Sequence, residues 1–364
     1  MTTISGTSSP TISVALCTFN GEKFLEKQLQ SLAAQTYPIS QLVVFDDSSN
    51  DSTHQILTAF KANCGFPVDI HINRQNLGVV GNFQKAISEC TGDLIALADQ
   101  DDVWLPEKLT TVVGQFTRAP DCGYVFSDAE LVDDKGHDLG MTLWQSIGFD
   151  ALRQTAFRNR GQLQTLMRGG NFVYGTTLVF RSRFRAEVLP IASKSLACTH
   201  DTWTALYLSA TGRYGIALPL ALVQYRQHAN QLFGGGKKLN AFEKVKHLFQ
   251  SRLDIDDAHV SALLALADRL RTVPAPTSVA DESASELTEM ALHLRARHRG
   301  LSRGRLARLG ILAPELLSGR YTKYASSTLS FLKDLLLPAR CTPRHLHDSA
   351  STKSDAPSIC SKAP

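Results

Sequence analysis

The sequence predicts an α/β fold: a mostly parallel sheet with flanking helices, continued by a helical C-terminal extension. Three observations carry this. Short apolar runs alternate with segments whose apolar residues recur at helical spacing through residues 12–105. The links between them are short, which favours right-handed crossovers between parallel strands. Beyond Gly234-Gly235-Gly236 the strand pattern stops and helical spacing takes over.

The first strand, residues 12–17, leaves into Thr18-Phe19-Asn20-Gly21. Asn20 is expected to cap a helix whose apolar face is Phe24, Leu25, Leu29, Leu32 and Ala33, and Tyr37-Pro38 stops it. Residues 42–45 form a second strand that ends in Asp46-Asp47, and Ile56, Leu57 and Phe60 mark the next helix. A strand at residues 68–72, a loop at 73–78 and a helix with Phe83, Ala86, Ile87 and Cys90 on one face follow. The central strand, 94–98, then runs into Asp99-Gln100-Asp101-Asp102. Leu109, Val112, Val113 and Phe116 give a helix and 124–126 a strand, while 133–168 reads as polar and irregular before a helix ending at Met167. Strands at 172–180, 216–218 and 220–225 bracket a helix opened by Thr199-His200-Asp201, with Trp203, Leu206 and Tyr207 along it. After the glycine hinge come a helix at 253–270, a linker at 274–285 and an arginine-rich stretch at 292–308. The expected division is a disordered N-terminus (1–10), an α/β domain (11–235), a helical region (236–338) and a disordered tail (339–364).

Composition bounds the partners. A chain of 364 residues, 43% hydrophobic and 20% charged, has room for one large domain and an appendage. A net charge of +4 is too weak to imply nucleic acid. Seven scattered cysteines without C-x-x-C or zinc spacing favour reduced thiols in the cytoplasm. The N-terminus lacks a secretory signal and no apolar run reaches the ~18–20 residues a span needs, so the chain is expected not to cross a membrane. Six arginines between Arg295 and Arg308, with no acidic residue among them, suggest peripheral docking on the anionic inner face of the cell membrane. The plainer alternative is a solvated basic face.

Asp99, Asp101 and Asp102 crowd one strand end, where open α/β sheets bind ligands. Such charge is repulsive unless a cation relieves it, which predicts a divalent-metal site, Mg²⁺ or Mn²⁺, gripping a nucleoside diphosphate. An acidic turn capping the helix near Pro106 is the bland alternative. No G-x-G-x-x-G and no Walker lysine occur, so dinucleotide and P-loop chemistry are not supported. Asp46 and Asp47 form a second acidic strand end able to accept from a pyrimidine N–H or a ribose hydroxyl, unless they only shape a turn. Asp201 is either a helix N-cap or a general base that takes one proton from an alcohol, a task His200 could also do. His228 beside Arg226 is a candidate metal or diphosphate partner, and Trp104 and Trp203 are candidate walls of the site.

Taken together, "ISVALCTFNGEKFLEKQLQSLAAQTYP" (12–38), "VVFDDSSNDST" (43–53), "NRQNLGVVGNF" (73–83), "ADQDDVWLPEKL" (98–109), "HDTW" (200–203) and "YRQHANQLFG" (225–234) resemble the family 2 glycosyltransferases. Within that family the closest likeness is to bacterial rhamnosyltransferase-like members, over residues 11–235. The resemblance implies a GT-A type Rossmann-like fold and inverting, metal-dependent transfer of a sugar from a nucleotide-sugar donor. It points to L-rhamnose from dTDP-rhamnose, moved to a hydroxyl of a glycan or lipid-linked acceptor in cell-surface polysaccharide synthesis. It further implies Asp201 as catalytic base and Asp99, Asp101 and His228 around the metal. The resemblance implies Thr18, Phe19 and Asp47 around the nucleoside, and Asn20, Asp46, Asn76, Gly78, Asp99 and Arg226 complete the expected donor contacts. Phe19 stands where many members have Tyr, and Ser48-Ser49-Asn50-Asp51 replaces a commoner Gly-Ser-Thr-Asp. A sugar-phosphate nucleotidyltransferase would want a glycine-rich basic loop where Phe19-Asn20-Gly21-Glu22 stands. A non-catalytic nucleotide-sugar-binding subunit of a polysaccharide assembly complex would be expected to lack Asp101 or Asp201.

Overall fold

A computed structural model describes residues 9–159, 161–169, 172–192, 199–228, 257–272, 278–324 and 329–336. The termini expected to be disordered lie mostly outside these residues, as do the glycine hinge and Ala229-Asn230. Among the described residues nine strands form one sheet. Its first half is parallel, in the order β3 (Val68–Ile72), β2 (Gln41–Asp46), β1 (Ile12–Thr18), β4 (Leu94–Asp99). Helices α1 (Leu25–Ala33), α2 (Thr53–Asn63) and α3 (Gly78–Glu89) connect these strands, and α4 (Lys108–Arg118) follows. Such crossovers cover both sheet faces, which is why β1 and β2 read as unbroken apolar runs. Register sets the site: Cys17 lies opposite Phe45 and Asp99, and Thr18 opposite Asp46, so three carboxyl ends finish side by side.

The second half of the sheet is mixed. β8 (Leu178–Arg181) runs antiparallel to both β4 and β6 (Tyr124–Val132). β9 (Gly215–Arg226) is parallel to β6, and the two-residue β5 (Val103–Trp104) returns antiparallel along β9. The two strands expected between 216 and 225 are one, with a register shift near Pro219, whose missing N–H cannot join the ladder.

Other expectations are corrected here. Asn20 does not cap α1, which starts after Phe24; it sits at φ +47° and accepts from Asn50 N at 3.0 Å. Phe24 and Ala33 are not on the face α1 buries. The irregular span 133–168 holds β7 (Asp138–Thr142), α5 (Leu143–Ile147), α6 (Ala151–Arg158) and α7 (Gln162–Gly169). Its order comes from a Thr142–Gln145 capping box, an Asp150 cap and a cluster of Phe126, Trp144, Phe149, Phe157 and Phe172, contacts too dispersed to show as periodicity. The strand expected at 172–180 shrinks to β8, because residues 175–177 turn as a 3₁₀ helix. Ser278 to Ser285 belongs to a helix rather than a linker.

After α8 (Arg185–Val188) and α9 (His200–Ala210), the helices α10 (Asp257–Arg271) and α11 (Ser278–Leu301) pack into the same apolar core as the sheet through Val260, Leu263, Leu270 and Leu287. Arg269 ties α10 down by donating to the carbonyls of Glu187, Leu189 and Pro190 at 2.6–2.7 Å. α12 (Arg305–Leu317), α13 (Arg320–Tyr324) and α14 (Leu329–Leu336) close a smaller cluster around Leu312, Tyr321 and Phe331. Among the described residues no helix is long and apolar enough to cross a membrane.

Candidate active site

A cleft of about 930 Å³ opens beyond the carboxyl ends of β1, β2 and β4. One wall is formed by Thr18, Phe19, Asn20, Asp47, Asn76 and Gly78. Asp47 Oδ1 accepts from Asn73 Nδ2 at 2.8 Å and Leu77 N at 2.9 Å, and Oδ2 from Gly78 N at 2.9 Å. A carboxylate oxygen takes two hydrogen bonds, so Oδ2 keeps capacity for one more donor from the cleft. Gly78 turns at φ +74°, a conformation that a side chain would strain. Phe19 is fixed by its backbone: its N–H donates to Gln100 Oε1 at 2.9 Å and its carbonyl accepts from Gln100 Nε2 at 3.0 Å. That latch joins the loop after β1 to the acidic turn after β4, and it leaves no room for a Cβ at Gly21.

Asp46, expected in the donor site, does not line the cleft. Its buried carboxylate accepts from Thr18 Oγ1 at 2.7 Å and from Ser49 N and Oγ at 2.9 and 2.5 Å, which makes it the brace of the turn.

Asp99 and Asp101 face the cleft and Asp102 does not. Burial, then the charges of Asp101 and Asp201, push the Asp99 carboxyl up to about 8. Asp101 Oδ2 meets His228 Nε2 at 2.8 Å, and the His228 ring lies against Phe24 with centroids 4.9 Å apart. Arg226 is not at the cleft surface as expected; it lies buried behind the turn. Its Nε donates to the Asp101 carbonyl at 2.8 Å and its Nη1 to the carbonyls of Asp133 and Asp134 at 3.3 Å. Its backbone N–H holds Asp102 Oδ1 at 3.0 Å. Among the described residues Asp102 Oδ2 has no hydrogen-bond partner, and burial lifts this carboxyl well above its ordinary range. Near it lies Lys108, fully buried, which donates to the Thr176 carbonyl at 2.6 Å and sits 3.0 Å from the Trp104 ring centre; burial holds its amine well below the ordinary lysine range.

Across the cleft, Asp201 lies in the first turn of α9; the N-cap is Thr199. Asp201 Oδ1 accepts from the Thr199 hydroxyl, from Thr202 N at 2.6 Å and from Thr202 Oγ1 at 3.4 Å, while Oδ2 accepts none among the described residues. His200 stacks on Phe83 at 3.7 Å with both ring nitrogens unpartnered among the described residues, and burial lowers its pKa, so the ring is neutral. Gly175 is required beside it, because a Cβ there would stand 2.7 Å from His200 Nε2. Trp104 and Trp203 are not walls of the site: both are buried, their indole N–H groups given to Thr176 Oγ1 and the Val188 carbonyl.

Residues 13–185 match the family described as Glycosyl transferase family 2. They form a glycosyl transferase family 2 domain. An uncharacterized glycosyltransferase of Nostoc sp. is 30% identical over 133 residues, which cover 36% of this chain and 41% of that protein. One of Haemophilus influenzae is 25% identical over 224 residues, 61% of this chain and 67% of that protein. The putative teichuronic acid biosynthesis glycosyltransferase TuaG of Bacillus subtilis is 26% identical over 151 residues, 40% of this chain and 58% of TuaG. The chain therefore spans from about two fifths to about two thirds of these relatives' length. The crystal structure of Staphylococcus aureus TarS 1–349 in complex with UDP-GlcNAc aligns with a TM-score of 0.51 at 17% identity, covering 80% of this chain and 75% of that one, a likeness of fold. That fold is of GT-A type, as expected from the sequence.

The matched domain contains the acidic turn but ends before Asp201 and His228, which the tertiary structure brings to the same cleft. Among the described residues no group of three or more His, Cys, Asp or Glu side chains is close enough to hold a metal ion. The donors that do meet are Asp101 and His228, and beside them burial, with the charges of Asp101 and Asp201, raises the Asp99 carboxyl. Hard carboxylate oxygens and one imidazole are a donor set that suits Mg²⁺ or Mn²⁺. Sequence reasoning missed Gln100, Phe24, Lys108, Tyr174, Thr199 and Gln227. The position of Gln100 between two aspartates was a usable signal, and so was a lysine adjoining the apolar stripe of α4.

Proposed function

We propose that this cleft performs an inverting, cation-dependent transfer of a sugar from a nucleoside diphosphate donor to a hydroxyl of a glycan or lipid-linked acceptor, in cell-surface polysaccharide synthesis. What supports the reading is that Asp101 and Asp201 line one cavity of about 930 Å³, a size suited to a small-molecule ligand. Asp47 Oδ2 accepts a base N–H, and Thr18, Phe19, Asn20, Asn76 and Gly78 surround the nucleoside. Asp101, His228 and Asp99 would hold the divalent cation, which when bound offsets charge gathering on the departing diphosphate.

Asp201 removes the acceptor's proton. Its Oδ1 is fixed by Thr199 and Thr202, which aims the free Oδ2, and the hydroxyl oxygen attacks the anomeric carbon as the bond to the diphosphate breaks. One base suffices because no covalent intermediate forms. The donor we propose is dTDP-rhamnose, on the likeness of "DQDDVW" and "YRQH" to rhamnosyltransferase-like sequences.

The test is a panel of nucleotide sugars scored by thermal shift with and without Mn²⁺. We expect stabilisation by one donor, dTDP-rhamnose, only when the cation is present, and cation-dependent release of the nucleoside diphosphate without acceptor. If no nucleotide sugar stabilises the protein with Mg²⁺ or Mn²⁺, the reading fails. Stabilisation without any release would assign a binding subunit instead.

A further inference from the structure

The arginine-rich segment is not one basic face. Arg297 is buried and bonds Asp334 at 2.6 and 3.1 Å, and Asp334 also accepts from Tyr321 Oη at 2.9 Å. Arg308 is buried too, spread over the carbonyls of Gly300, Leu301, Arg303 and Asp334. These two arginines hold α11, α12 and α14 together and are not available to an outside partner. Arg299, Arg303 and Arg305 remain exposed.

The outward face of α12 has the opposite character from a solvated helix. Its buried side carries Arg308, Leu312 and Glu315, the last paired with His293 at 2.8 Å. Its other side presents Leu306, Leu309, Gly310, Ala313 and Leu317, spaced i, i+3, i+4, i+7 and i+11, which is one continuous stripe. Leu306 and Leu317 are 90% and 87% exposed and Leu309 44%. A helix of a water-soluble surface turns charge outward; this one turns leucines outward, with the exposed Arg303 and Arg305 at its start. The one acidic residue between 292 and 320 is Glu315, which is buried. Leucines below and arginines beside them match acyl chains below and phosphate headgroups above.

We propose that α12 lies in the plane of an anionic bilayer, inserting Leu306, Leu309 and Leu317 while Arg299, Arg303 and Arg305 meet lipid phosphates. This places the membrane contact on α12, where it is independent of the reaction assigned to the cleft. The test is co-sedimentation of the full chain with phosphatidylglycerol-containing vesicles and with pure phosphatidylcholine vesicles, with no nucleotide sugar present. The chain is expected to pellet with the anionic vesicles, less so at high salt. Leu306→Glu with Leu317→Glu should lower the partition at least about tenfold, and Arg303→Gln and Arg305→Gln roughly fivefold each. All variants should keep the wild-type melting temperature, because these side chains leave the core untouched. Absence of wild-type chain from the anionic pellet, or equal pelleting of the leucine variant, overturns the proposal. A lipid-free dimer that Leu306→Glu with Leu317→Glu converts to monomer would also overturn it, giving the face to a second copy.

Discussion

Asp201→Asn tests the proposed chemistry with the least disturbance of the fold. The carboxamide keeps the shape, and its oxygen can still accept from Thr202 N and the Thr199 hydroxyl, so the first turn of α9 should stay formed. The other position becomes an NH₂, which cannot take a proton from an acceptor hydroxyl. A positioned general base contributes about 10²–10⁴-fold, or roughly 3–5 kcal/mol of barrier at about 1.4 kcal/mol per decade. In the proposed reading the donor is held by Asp47 and its neighbours rather than by Asp201, so donor affinity should change by no more than about twofold, well under 1 kcal/mol. The assay is nucleoside diphosphate release at saturating donor and acceptor, beside donor affinity by calorimetry. Turnover within about tenfold of the wild type would refute the assignment, since no general base is worth so little.

Arg226→Met should lower stability by about 3 kcal/mol or more, because the carbonyls of Asp101, Asp133 and Asp134 lose a buried charged donor. In a thermal melt that is a fall of roughly 6–12 °C. Lys108→Met should cost about 1–3 kcal/mol in denaturant unfolding, because the buried Thr176 carbonyl loses the donor that Lys108 Nζ supplies at 2.6 Å. Asp99 makes stability fall with rising pH in cation-free protein. Its carboxyl titrates at its ordinary 3.8 when unfolded and about 8 when folded, so the folded state holds the extra proton between those values. Melts in chelator should therefore drop from pH 5 to pH 8 and flatten above, with the slope reduced in Asp99→Asn; an identical slope in that variant would count against the assignment. Cation binding must displace that proton, so stabilisation by Mn²⁺ should be larger at pH 8 than at pH 6.

Much of the site was legible one strand at a time and not across strands. Asp46 and Asp47 look equivalent in the sequence, yet successive residues of an extended chain point to opposite sides, so one braces a turn and the other faces the cleft. Asp101 and Asp102 part at a turn instead: Asp101 faces the cleft, while Asp102 Oδ1 is held behind it by the Arg226 backbone N–H. Arg226 and His228 sit two apart in one motif, but Arg226 bonds backbone behind the acidic turn while His228 bonds the Asp101 carboxylate in front of it. The arginine-rich segment was read as one charged surface because periodicity cannot say which cations will find a buried carboxylate such as Asp334.

The sequence by itself determined the alternation of strands and helices, the acidic ends of β2 and β4, and the family of the domain, because buried parallel strands and their crossovers write themselves as apolar runs at fixed periods. The tertiary structure decided which carboxylates share the cleft, which arginines are internal, and that α12 turns leucines outward. Those are properties of which side of each element meets another, and that depends on residues distant in the chain, as Asp101 depends on His228 and Arg297 on Asp334.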